Sequence, residues 1–204
     1  MTLKLPVDIE TIKGFLSHAE GEALYRHLAG LAGPNPALEI GSYCGRSTVY
    51  LGLACSASKR LLLALDHHRG SEEHQVGEMF HDPELVDEEG RFSTLSAFRR
   101  TLDRSGLESV VIPVLSDSET FSRIWSGDLS FVFIDGGHSL DTALTDYRRW
   151  VGRIERGGLL AIHDVYPAPE AGGQAPITIL RLALASGLFE AIDAVDSLRV
   201  LRRL

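Results

Sequence analysis

The sequence predicts an α/β fold: a mostly parallel β-sheet with helices on both faces, finished by an antiparallel C-terminal edge hairpin. Three observations carry that reading. Short, near-continuous apolar runs recur around Leu38–Ile40 and at Leu61–Leu65, Val110–Ile112, Phe131–Ile134 and Leu159–Ile162, as in strands covered on both faces. Helical patterns lie between them, the alternation expected of a parallel sheet. Near the C-terminus, Phe189–Val195 and Leu198–Leu201 flank Asp196-Ser197 as a hairpin. At 204 residues the chain, 1–204, is read as one domain.

Apolar positions at Leu24, Leu28 and Leu31, stopped by Gly33-Pro34, read as a helix ahead of the first strand. That strand ends near Glu39 and enters the turn Gly41-Ser42-Tyr43-Cys44-Gly45, which opens a helix at Ser47. Two glycines at this spacing let backbone N–H groups approach a ligand, and the helix aims its positive end at the same place. No third glycine completes G-x-G-x-x-G, which argues against NAD. The second strand ends in Asp66, where such folds present a carboxylate to ribose hydroxyls. From there 44 positions lead to Val110, so an insertion is expected at about 67–99, acting as a substrate lid or an oligomer contact, with a homodimer in view. Between Asp66 and Gly90 it holds nine acidic residues against Arg69 alone. Its His67, His68, His74 and His81 match no common zinc spacing and read as polar lid residues. A helix over Leu140–Val151 carries Leu144, Tyr147 and Val151 on one face, and Gly157-Gly158 reads as the turn into the next strand. Pro167–Pro176 reads as the second wall of an acceptor pocket, and a helix over Ile177–Ala185 ends before Gly187.

A formal charge of −8 with a pI near 5.5 lacks the basic footprint of a phosphate-backbone binder, so nucleic acid is not expected as a partner. Cys44 and Cys55 form no C-x-x-C pair and are expected as reduced thiols. The first residues hold no apolar leader, and no run approaches the roughly 18 apolar residues of a membrane span. A cytoplasmic protein without a membrane partner is expected.

The later strands deliver FIDGGHS and AIHDV, placing Asp135, His138, His163 and Asp164 at or just after strand tips. Carboxylates and an imidazole converging there can hold a divalent cation, the oxygens favouring Mg²⁺ and the imidazole admitting Mn²⁺ or Fe²⁺. Either aspartate could instead cap a turn, as isolated strand-end aspartates commonly do. Their convergence at neighbouring tips favours a site.

GSYCGRST resembles the corresponding turn of class I S-adenosylmethionine-dependent methyltransferases, the catechol and caffeoyl-CoA O-methyltransferase group in particular. The resemblance implies a Rossmann-like sheet, with Glu39, Gly41, Ser42, Tyr43, Gly45 and Ser47 around the methionine end of the cofactor and Asp66 on its ribose. Asp117 and Ser118 would lie near the adenine and Asp135 beside the cofactor. It also implies metal ligands at Asp135, His163 and Asp164, with His where these enzymes carry a carboxylate, and places His138 at the position of the catalytic lysine of the catechol enzymes. DHHRGSEEHQ and GGQAP resemble a branch of small bacterial enzymes related to macrolide-sugar O-methyltransferases, nearest the 1-O-methyltransferases of mycobacterial methylmannose polysaccharide synthesis. That implies a small saccharide acceptor, a partly methylated mannoside, and Mg²⁺, with His138 as general base. Three alternatives stay open: a phenolic natural product as acceptor, a metallohydrolase or lyase using the Asp/His cluster, and a non-catalytic cofactor-binding protein.

Overall fold

The computed structural model describes residues 3–71, 74, 77, 81–137 and 139–204. Seven strands make one sheet: β1 Ala37–Ile40, β2 Leu62–Leu65, β3 Val111–Val114, β4 Leu129–Ile134, β5 Ile154–Ile162, β6 Phe189–Val195 and β7 Leu198–Arg203. They lie in the order β3-β2-β1-β4-β5-β7-β6; β1 to β5 run parallel, and β7 pairs antiparallel with both β5 and β6. The expected α/β sheet with its antiparallel edge hairpin is therefore present.

Alternation along each strand divides the core in two. Ala37, Leu62, Ala64, Phe131, Phe133 and Leu159 face α1 His18–Ala29, α2 Arg46–Ser58 and α3 Leu95–Ser105. Leu38, Ile40, Leu63, Val132, Ile134 and Leu160 face α5 Leu140–Trp150 and α6 Ala175–Ala185, with Phe121 of the short helix α4 Ser118–Ser122 packed beside them. The chain leaves β1 toward β2 and β3 on one side and β4 toward β5 on the other. The carboxyl ends of β1 and β4 thus flank a topological switch point, the crevice where open α/β sheets bind ligands.

Two local readings are corrected. Gly157 and Gly158 lie inside β5, where the register against β4 shifts between Leu129 and Phe131. A Cβ on Gly158 would stand 2.8 Å from the carbonyl oxygen of Ser130, so the pair marks a bulge with close backbone approach, not a turn. On α5 the buried stripe is Ala143, Asp146 and Trp150, one position from the predicted face; Leu144, Tyr147 and Val151 are only partly covered. Cys44 and Cys55 are free and buried, and burial pushes both thiols up to about 12. No helix among the described residues is long and apolar enough to cross a membrane.

Candidate active site

The turn after β1 is built from left-handed backbone: Gly41 has φ +90°, Tyr43 +48° and Gly45 +92°. Gly41 is required by contact as well as by torsion, because a Cβ there would fall 2.2 Å from the carbonyl oxygen of Asp135. Asp66 ties the turn down from β2. Its Oδ2 accepts the N–H of Ser42 (3.0 Å) and of Tyr43 (2.8 Å), and its Oδ1 accepts the N–H of His68 (2.6 Å). Below the turn, fully buried Glu39 accepts the hydroxyls of Ser47 and Thr48, both at 2.6 Å. Burial raises the Glu39 carboxyl to about 7, against the lowering effect of those hydroxyls. Glu39 and Ser47 therefore hold the first turn of α2, with Gly45 as its N-cap.

At the tips of β4 and β5, Asp135, His163 and Asp164 come together, with ligand atoms from all three within 4.8 Å of one another. His163 Nδ1 lies 2.9 Å from Asp135 Oδ1 and 3.5 Å from Asp164 Oδ2. Its other nitrogen, Nε2, lies 3.0 Å from Oε2 of Glu20 on α1, a residue the sequence reading did not include. Burial alone would keep this imidazole neutral; the Asp135 charge and the hydrogen bonds to Asp135, Asp164 and Glu20 outweigh it and raise the pKa well above the ordinary range. Glu20 is opposed by burial but held to about 2 by His163, Ser17 and Ser197. The donor set fits a divalent cation: two carboxylates and Nδ1 converge, and the ring's other N–H meets a carboxylate, the outer contact metal-bound histidines usually make. Without a cation, the proton on Nδ1 joins the same groups.

The remaining predicted residues are placed as follows. Asp117 caps α4, accepting the N–H of Thr120 at 2.7 Å, and Ser118 Oγ accepts the indole N–H of Trp150 at 2.7 Å. His138 lies outside the described residues, as do Glu72, Glu73, Glu78 and Phe80 of the insertion. His67 is exposed, while His68 is buried with Nδ1 2.7 Å from Thr94 Oγ1. Among the described residues these histidines form no metal-ligand group with His74 or His81. Four of the insertion's described acids have cationic partners: Asp82 and Glu84 pair with Lys13, Asp87 with Arg69 and Arg91, and Glu89 with Arg91. Sequence reading also missed an aromatic cluster in which the Tyr43 ring centroid lies 6.0 Å from Phe15, 5.4 Å from His74 and 6.4 Å from Phe92. Phe15 is largely exposed beside the glycine turn.

The segment holding all these strand tips, residues 38–165, matches the family model described as a methyltransferase domain, which covers more than half of the chain. The chain belongs to the methyltransferase domain family. Among solved structures, the methyltransferase is similar to the O-methyltransferase NovP, with TM-score 0.70 and 13% identity over 91% of this chain and 79% of that one. It is also similar to cofactor-bound Rv0187 from MTB, with TM-score 0.65 and 18% identity over 93% and 81% of the two chains. An O-methyltransferase from Bacillus cereus in complex with SAH gives TM-score 0.60 and 16% identity over 93% and 83%. At these identities the likeness is one of fold.

Proposed function

We propose that this methyltransferase transfers the methyl group of S-adenosylmethionine to a hydroxyl of a neutral saccharide, the 1-OH of a partly O-methylated mannoside being the most specific form of the reading. One observation carries the site of methyl transfer: the glycine turn after β1 abuts Asp135, so the crevice and the Asp135–His163–Asp164 cluster share a wall; the saccharide acceptor rests on the resemblance of DHHRGSEEHQ and GGQAP to sugar O-methyltransferases. The cofactor supplies an electrophilic sulfonium methyl. Asp66 would hold its ribose, since the three N–H bonds that this carboxylate accepts leave part of its roughly four acceptor positions, while the Ser42 and Tyr43 N–H groups are already given to Asp66. Asp117 and Ser118, after β3, would lie toward the adenine. A divalent cation held by Asp135, Asp164 and His163 Nδ1 would acidify a hydroxyl in its shell. His138, three positions after Asp135, would take that hydroxyl's proton as general base. Alignment of acceptor and methyl by the crevice walls supplies the rest of the rate.

A phenolic acceptor is the second reading, favoured by Phe15, Tyr43 and Phe92 clustering beside the turn. A methyl-transfer screen of mannosides, partly methylated mannosides and catechols separates the two, run with and without EDTA. Turnover of catechols with none of any sugar refutes the saccharide reading, and full activity after exhaustive chelation refutes the metal. His138→Ala is expected to lower kcat about 10²- to 10⁴-fold while leaving S-adenosylhomocysteine affinity near wild type.

A further inference from the structure

We infer that a second ligand site, separate from the Asp135–His163–Asp164 cluster, lies between the N-terminal stretch, the insertion and α3, and that it takes a small organic carboxylate with an apolar body. The cavity there has a volume of about 240 Å³, smaller than the roughly 300–1,000 Å³ of drug-sized sites, which fits a small ligand. Its floor is apolar and buried: Ile12, Cys44 and Leu85, one from each of the N-terminal stretch, the glycine turn and the insertion. The walls are tied together in advance. Lys13 pairs with Asp82 and Glu84, fastening the N-terminal stretch to the insertion, and the Thr101 hydroxyl of α3 donates to the Cys44 carbonyl at 2.7 Å.

The charge of the cavity comes from α3. That helix lines it with Ala97, Arg100, Thr101 and Arg104, the spacing of a single helical face. Two like charges one turn apart cost helix stability unless something offsets them. Nothing acidic does so here. Among the described residues Arg100 makes no hydrogen bond or ion pair, and Arg104 Nη2 reaches only the Thr11 hydroxyl at 3.3 Å, in a chain whose formal charge is −8. Burial pushes the Cys44 thiol up to about 12, while the charges of Lys13 and Arg100 pull against it, so both act on the cavity floor. Lys13 is already shared by two carboxylates. The cationic surplus is therefore that of the two guanidiniums, which a monoanion matches better than a phosphate dianion. Guanidinium forks suit a carboxylate, and the buried floor suits its alkyl chain.

The test titrates the full-length protein with hexanoate by calorimetry, with acetate and 1-hexanol as ligands lacking the body or the charge. Hexanoate is expected to bind at one site per chain, to shift the methyl NMR signals of Ile12 and Leu85, and to leave S-adenosylhomocysteine binding in place. Acetate and 1-hexanol should each bind at least about tenfold more weakly. The double variant Arg100→Met, Arg104→Met removes both charges and should weaken hexanoate about 10- to 100-fold, with S-adenosylhomocysteine affinity and the unfolding midpoint near wild type. Absence of saturable hexanoate binding at millimolar concentration overturns the inference, as does acetate or 1-hexanol bound as tightly. So does a folded double variant with wild-type hexanoate affinity. Competition between hexanoate and S-adenosylhomocysteine would put the carboxylate in the cofactor crevice and overturn the separate site. None of these readouts depends on methyl transfer.

Discussion

Gly41→Ala is expected to destabilise the protein by about 3–4 kcal/mol, while Gly106→Ala costs about 1–2 kcal/mol. Both glycines sit at positive φ, +90° and +67°, so both substitutions carry the left-handed backbone penalty. They differ in surroundings. A Cβ on Gly106 meets nothing within 4 Å, whereas one on Gly41 would lie 2.2 Å from the oxygen, 2.6 Å from the carbon and 2.9 Å from the next nitrogen of the Asp135–Gly136 backbone. Ordinary contact begins near 3.4 Å, so the Asp135 backbone must retreat by more than an ångström. The bonds at risk are Asp135 N–H to the Ile40 oxygen (2.9 Å) and Gly41 N–H to the Leu65 oxygen (3.0 Å). At about 0.5–1.5 kcal/mol each, their loss adds to the torsional cost. Urea unfolding of the two variants measures the difference directly, and calorimetry with S-adenosylhomocysteine should show weaker binding to Gly41→Ala alone. If the two variants lose the same stability within about 0.5 kcal/mol, the close approach of β1 and β4 is not what requires glycine at position 41.

Two further predictions follow from the same region. Asp66→Asn puts an amide donor against at least one of the three N–H groups the carboxylate accepts, and should cost about 2–4 kcal/mol in urea unfolding as well as cofactor affinity; wild-type stability would mean that these bonds do not anchor the turn. Glu39, raised by burial from 4.5 to about 7, contributes stability that is fully present below about pH 4.5 and falls as pH rises through 7, because the unfolded state ionises first; the change is on the order of 3 kcal/mol. Glu39→Gln should flatten unfolding free energy between pH 5 and 8, and an unaltered slope would assign the pH dependence elsewhere.

Local signals made most of this fold legible. Apolar runs marked β1 to β5, Asp196-Ser197 marked the hairpin, and Gly41 with Gly45 marked the turn into α2. The tips carrying Asp66, Asp135, His163 and Asp164 could be read because each follows its strand directly. What could not be read depends on pairing between distant segments. Glu20 precedes His163 by 143 positions, and its only sequence signal, Ser17-x-x-Glu20, is fully explained by a local cap. The buried face of α5 carries a carboxylate that apolar periodicity does not count: Asp146 is 2% exposed, and burial raises it to about 6. Phe15 meets Tyr43 only once the segment before α1 has crossed the carboxyl edge of the sheet. The same crossing brings Glu20 to His163, so one N-terminal stretch supplies both the Phe15 ring beside the glycine turn and the carboxylate on His163 Nε2. Strand-tip motifs alone therefore bring Asp135, His163 and Asp164 together, whereas Glu20, the further carboxylate on His163, comes from a segment that no strand-tip motif includes.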